Sequence, residues 1–174
     1  DLNNDGNIDL VVANYSNGTW TEMDSYIYYG GSTNHGSNEF SFHPFNGRVA
    51  LPGSNAQNSA IGDFNKDGFT DVFFTNNQYS LTGNPNLANR LINSYLYYGS
   101  ENGFSLNNRL SLQTIGAWGT NSADLNNDGW IDLLVCNFQE HYSYEVPSFI
   151  YWNGPEGFNQ TNRTPLYEHG AQGN

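Results

Sequence analysis

The sequence predicts an all-β chain of four-stranded antiparallel sheets, arranged as β-propeller blades, and three observations predict it. A nine-residue acidic pattern recurs three times, at spacings of 62 and 61 residues. Each copy opens into a short β-branched or aromatic run next to Asn and Gly, which is a strand signal. No segment sustains the 3.6-residue periodicity of an amphipathic helix.

Self-similarity at a fixed period marks a repeat architecture. The three acidic segments are Asp1-Leu-Asn-Asn-Asp-Gly-Asn-Ile-Asp9, Asp63-Phe-Asn-Lys-Asp-Gly-Phe-Thr-Asp71 and Asp124-Leu-Asn-Asn-Asp-Gly-Trp-Ile-Asp132. A second element follows each: Ser25-Tyr-Ile-Tyr-Tyr-Gly30, Ser94-Tyr-Leu-Tyr-Tyr-Gly99 and Ser148-Phe-Ile-Tyr-Trp-Asn153. A third is Glu39-Phe40-Ser41, Gly103-Phe104-Ser105 and Gly157-Phe158-Asn159, and a fourth is built on Arg48, Arg109 and Arg163. Four strands per repeat are expected: after the acidic loop, through the Tyr-Tyr element, around the Phe-Ser and Arg region, and just before the next loop. The blade-length repeats are 1–62, 63–123 and 124–174. A propeller closes with about 4–8 blades, so three are a fragment whose first partners are the remaining blades of the same ring. Arg48 and Arg109 each stand 15 residues before the next acidic loop. By the same register Arg163 predicts a further loop starting at 178, past the last residue of this chain.

Composition agrees. Asn occurs 28 times and Gly 19 times in 174 residues, and aromatics make up 16%. Asn and Gly favour turns, whereas Tyr and Phe favour strands. The net charge is −12 with only five basic residues, which excludes a nucleic-acid binder of the ordinary basic kind. No apolar run reaches the length of a membrane span. The single Cys136 lies in an apolar run and reads as a small buried hydrophobe.

Nine of the 17 acidic residues fall in the three loops. Three carboxylates within nine residues repel one another unless a cation relieves them. Oxygen donors at positions 1, 3 and 5, a Gly at position 6 for the sharp turn, an inward carbonyl at position 7 and a closing acid at position 9 suit calcium, which takes 6–8 oxygens. The candidate ligands are Asp1, Asn3, Asp5, Asn7 and Asp9; Asp63, Asn65, Asp67, Phe69 and Asp71; and Asp124, Asn126, Asp128, Trp130 and Asp132. About three Ca²⁺ per chain would take the formal charge from −12 to −6, since three dications add six. An EF-hand needs a Glu at position 12 and flanking helices. Position 12 is Val12, Phe74 and Val135, and the flanks read as strands. Zinc lacks Cys or His ligands in the loops, and magnesium prefers to keep its waters. The competing reading is a set of Asx-rich turns without metal. Where the ion binds, its expected role is to hold the loops in shape.

Asp124 to Asn137, the Tyr-Tyr-Gly and Gly-Phe-Ser elements, and the stretches Arg109 to Ala117 and Arg163 to Ala171 resemble the FG-GAP or VCBS-type repeat. That repeat also occurs in the α-subunit propeller of integrins. The first copy departs from the pattern at Asn55-Ala56, where the others have Gly-Ala. The resemblance implies a propeller, usually seven-bladed, with calcium in loops between strands and a secreted or cell-surface location. It implies adhesion or recognition of a glycan or surface protein, without fixing the ligand. The rival readings are a polysaccharide-acting enzyme or accessory domain, and a structural subunit of a surface assembly or filament.

Among the remaining residues, the three repeated Arg side chains are expected to join neighbouring blades. The Tyr doublets should place one ring in the core and the other on the opposite face. Trp20, Tyr79 and Trp118 are candidates for stacking on a sugar ring. His35, His43, His141 and His169 share no register, no nucleophile motif is present, and no catalytic residue is assigned.

Overall fold

The structure is a computed structural model and describes residues 1–16, 22–32, 40–42, 48–78, 89–140 and 143–167. Trp20, Tyr79, the four histidines and most of the insertion between Gln78 and Arg90 lie outside the described residues. Among those described, every element is a strand and none is a helix. The strands are β1 (Leu10–Val12), β2 (Asp24–Tyr28), β3 (Gly30–Ser32), β4 (Phe40–Phe42), β5 (Arg48–Pro52), β6 (Ala56–Gly62) and β7 (Asp71–Asn76), followed by β8 (Leu91–Tyr97), β9 (Arg109–Ile115), β10 (Ala117–Ala123), β11 (Asp132–Asn137), β12 (Pro147–Tyr151) and β13 (Arg163–Tyr167).

These strands form three antiparallel blades and one hairpin. Blade 1 is β1-β2-β5, blade 2 is β6-β7-β8-β9, and blade 3 is β10-β11-β12-β13. The hairpin β3-β4 is peculiar to the first repeat. The strand ahead of the second and of the third acidic loop pairs with the strand after it, Gly62 opposite Asp71 and Ala123 opposite Asp132. Each of these two loops is therefore the first hairpin connection of its own sheet. Sheets and loop-to-loop repeats are out of phase by one strand, although blades 2 and 3 have the four strands expected and blade 1 has three of them.

The core lies between blades, and strand alternation builds it. In β7, Val72 and Phe74 join Leu2, Ile27 and Leu51 of blade 1, whereas Phe73 joins Leu133, Val135 and Phe149 of blade 3. Each middle-blade face thus serves one neighbour, so β7 is buried at every position instead of alternating with solvent. Equivalent residues show what a neighbour contributes. Leu2 and Phe64 are 3% and 1% exposed beneath the next blade, whereas the matching Leu125 of blade 3 is 45% exposed. On the opposite face Val72 and Leu133 are fully buried, whereas Leu10 of blade 1 is 41% exposed.

Two of the three repeated Arg residues, Arg109 and Arg163, join blades through a tyrosine, whereas Arg48 stacks on Tyr26 of its own blade. Arg163 stacks on Phe149 with its guanidinium carbon 4.0 Å from the ring centre, and donates to the Tyr151 hydroxyl at 2.6 Å. Tyr151 in turn donates to the Gln113 carbonyl of blade 2 at 2.5 Å. One repeat earlier, Arg109 stacks on Tyr95 and donates to Tyr97, which donates to the Pro52 carbonyl of blade 1 at 2.6 Å. Tyr97 and Tyr151 are fully buried, and burial pushes both hydroxyls to a raised pKa despite the adjacent Arg. Tyr151→Phe should cost about 0.5–1.5 kcal/mol in a urea melt, because it removes two hydrogen bonds of a buried hydroxyl while keeping the ring, and Arg163 still donates to the Gln113 carbonyl at 3.2 Å.

At the start of β6 and of β10 the register slips, between Ala56 and Asn58 and between Ala117 and Gly119. Trp118 stands at the second bulge, stacked on Phe138 with centroids 4.8 Å apart. Phe138 is in turn packed against Tyr144. Cys136 is buried in β11. No described helix is long and apolar enough to cross a membrane.

Candidate metal-binding loops

Each acidic loop is a short chain folded back on its own carboxylates. In the first, Asp5 N–H donates to Asp1 Oδ1 at 3.1 Å and to Asn3 Oδ1 at 3.3 Å. Gly6 N–H donates to Asp1 Oδ2 at 2.7 Å, and Asn7 N–H to Asp5 Oδ1 at 2.8 Å. The Asn3 amide donates to Asp5 Oδ2 at 3.1 Å. Asp63, Asn65 and Asp67 make the same bonds in the second loop, to the N–H groups of Asp67, Gly68 and Phe69. Asp124, Asn126 and Asp128 repeat them in the third, to Asp128, Gly129 and Trp130. Positions 1, 3 and 5 are thus brought together in all three copies by one hydrogen-bond pattern.

The backbone repeats as closely. Gly6, Gly68 and Gly129 have φ of 85°, 89° and 85°, left-handed values that suit Gly. The residue at position 4 is left-handed too: Asn4, Lys66 and Asn127 have φ of 58°, 58° and 59°. Asn tolerates this conformation better than Lys does. Sequence reasoning passed over position 4, although Asn in two of three copies was a usable signal.

Position 9 does something more specific than closing a ring of ligands. Asp9 Oδ2 accepts from Leu2 N–H at 2.6 Å and its Oδ1 from Gly30 N–H at 2.8 Å. Asp71 holds Phe64 N–H and Gly99 N–H, and Asp132 holds Leu125 N–H and Asn153 N–H. Each position-9 carboxylate therefore pins the start of its loop to the end of the Tyr-Tyr strand, and each oxygen keeps a further lone pair. Gly30, Gly99 and Asn153 thereby acquire a role their repeat positions alone did not reveal. Asn153 adds another, since its side-chain amide donates to the Phe64 carbonyl at 2.8 Å and so ties the third loop to the second.

Three of the loop carboxylates are shifted in pKa, Asp5 and Asp128 downward and Asp71 upward. Asp5 is held below the usual carboxylate range, first by the Asn7 N–H and then by the Asn3 amide. Asp128 is lowered by the Trp130 N–H, then the Asn126 amide, with the Lys66 charge adding to it. Asp71, fully buried, is pushed up to about 6 by desolvation, and the Asp67 and Asp63 charges raise it further against two backbone hydrogen bonds. The donors are oxygens alone, as a hard cation requires. Among the described residues no three Asp, Glu, His or Cys side chains gather into a ready-made cage. The donor set that fits is accordingly mixed: two carboxylates, an amide and the loop backbone, with the pinned position-9 carboxylate beside them.

Two other places stand out. Asn55, at φ 50°, occupies the position of Gly116, at φ 54°, and both atoms of its amide are buried without a hydrogen-bond partner. That departure from the other repeats carries a desolvation cost with no visible return within the fold. A cleft of about 430 Å³ opens between blades 1 and 2, lined by Glu22, Asn93, Tyr95 and Arg109 among others.

Sheets hydrogen-bonded in this order and packed face to face, with an oxygen-lined loop leading into the β1, β7 or β11 strand of each, define a β-propeller-like repeat protein. The FG-GAP-like repeat family matches residues 1–74 and again residues 63–135. The chain belongs to that family, whose repeats are typical of extracellular and cell-surface proteins. No individual characterised protein matches it.

Proposed function

We propose that the chain is a calcium-stabilised segment of an extracellular propeller that recognises a glycan or a surface protein and does not catalyse. The observation that carries the calcium reading is the same set of oxygen donors and the same hydrogen bonds in three loops. Asp1, Asn3, Asp5, Asn7 and Asp9 would hold one ion, and their counterparts in the other loops one each. Bound calcium supplies positive charge to nine carboxylates. The protein's residues do the rest: position 6 turns the chain, positions 1, 3 and 5 present oxygen, and position 9 locks the loop to its sheet.

Recognition is supported by the cleft between blades 1 and 2. An aromatic ring, a guanidinium, an amide and a carboxylate meet there, the donor and acceptor mixture that sugar hydroxyls and peptide groups can use. The partners in this reading are the further blades that the half-exposed faces of blades 1 and 3 would cover, and a glycan or surface-protein ligand; nucleic acid is excluded by charge. Thermal melts in calcium-depleted and calcium-replete buffer test the reading. At a hundredfold excess over the dissociation constant each filled loop adds about 2.7 kcal/mol, so calcium should raise the midpoint by several degrees or more. Coincident melts would overturn it.

A further inference from the structure

We propose that Lys66 weakens calcium binding at the third loop; the inference rests on the calcium reading above. Successive loops touch through position 4. Asn4 of the first loop donates its side-chain amide to the Gly68 carbonyl of the second at 3.3 Å. Lys66 of the second loop reaches the same part of the third: its Nζ lies 4.2 Å from the centre of the Trp130 ring, and a Cβ built on Gly129 would meet it at 3.6 Å. The first contact is neutral. The second places an ammonium group against a loop whose acids would receive a dication.

The placement is fixed by the fold. The left-handed backbone at Lys66 matches that of Asn4 and Asn127, so the loop directs the side chain towards its neighbour whatever residue stands there. The Trp130 ring face then anchors the ammonium by cation–π attraction. A fixed positive charge that stabilises an anionic ligand also repels the ion that ligand would bind. Within about a Debye length of a dication, a unit charge at the protein surface weakens binding roughly threefold to tenfold. The contact between the first and second loops runs instead through the uncharged Asn4 side chain.

Trp130 supplies its own reporter. The residues at position 7 are Asn7, Phe69 and Trp130, so terbium emission excited through tryptophan reports chiefly the third loop. The experiment titrates terbium, then displaces it with calcium, in the wild type, Lys66→Asn and Lys66→Arg, while calorimetry counts the ions. Lys66→Asn should tighten calcium at the tryptophan-sensitised site roughly threefold to tenfold and leave the count unchanged, whereas Lys66→Arg should leave the affinity low. Full uptake with a third-site affinity that moves by less than about twofold in Lys66→Asn overturns this inference alone, as does equal tightening in Lys66→Arg. Absence of ion uptake by every protein overturns the calcium reading together with it.

Discussion

Phe64→Ala should destabilise the chain by about 3–5 kcal/mol, whereas Leu125→Ala, at the same repeat position, should cost under about 1 kcal/mol. Both residues occupy position 2 of an acidic loop. Phe64 is 1% exposed, packed edge-on against Phe158 of the next blade with centroids 5.7 Å apart. Leu125 is 45% exposed, on the blade-3 face that would meet a further blade. Truncating Phe64 removes a ring from a filled interface and leaves a cavity, while truncating Leu125 removes surface that water already wets. Urea denaturation of the two variants makes the comparison within one protein. Equal losses would mean that stacking between blades is not the source of stability.

The second large effect separates the two kinds of acid within a loop. Asp132→Ala should cost about 2–4 kcal/mol even without calcium, because it strands the N–H groups of Leu125 and Asn153. Asp128→Ala removes an exposed carboxylate and should cost far less than Asp132→Ala in calcium-free buffer. In excess calcium the Asp128 loss should grow by about 2.7 kcal/mol, the contribution of one filled site at a hundredfold excess of ion over its dissociation constant. Calcium-independent losses for both variants would make the loops turns and nothing more. A small loss for Asp132→Ala in calcium-free buffer would remove the pinning role.

Much of this architecture was readable from the residues, for identifiable reasons. The loop pattern was legible because Asp, Asn and Gly at fixed spacing satisfy one turn, and three copies leave little room for coincidence. The Arg and Tyr repeats signalled a shared contact, and Arg163 through Tyr151 to Gln113 is that contact. The phase of the sheets was not legible. The acidic loop is the loudest motif and sets the apparent start of each repeat, whereas hydrogen bonding closes across it, from Gly62 to Asp71. Nor does an Asp at position 9 reveal in sequence whether its oxygens face an ion or backbone amides. The contact of Lys66 with Trp130 joins residues 64 positions apart and follows from how consecutive blades stack, information that no local pattern holds.

Nine carboxylates in three hydrogen-bonded turns make ion occupancy the point on which the functional account stands. Equilibrium dialysis against radioactive calcium counts that occupancy directly, for the wild-type chain and for variants carrying Ala at both Asp63 and Asp67 or at both Asp124 and Asp128. About three ions per wild-type chain, falling by one in each variant, is the predicted result. No retained calcium in the wild type, or an undiminished count in the variants, would contradict it.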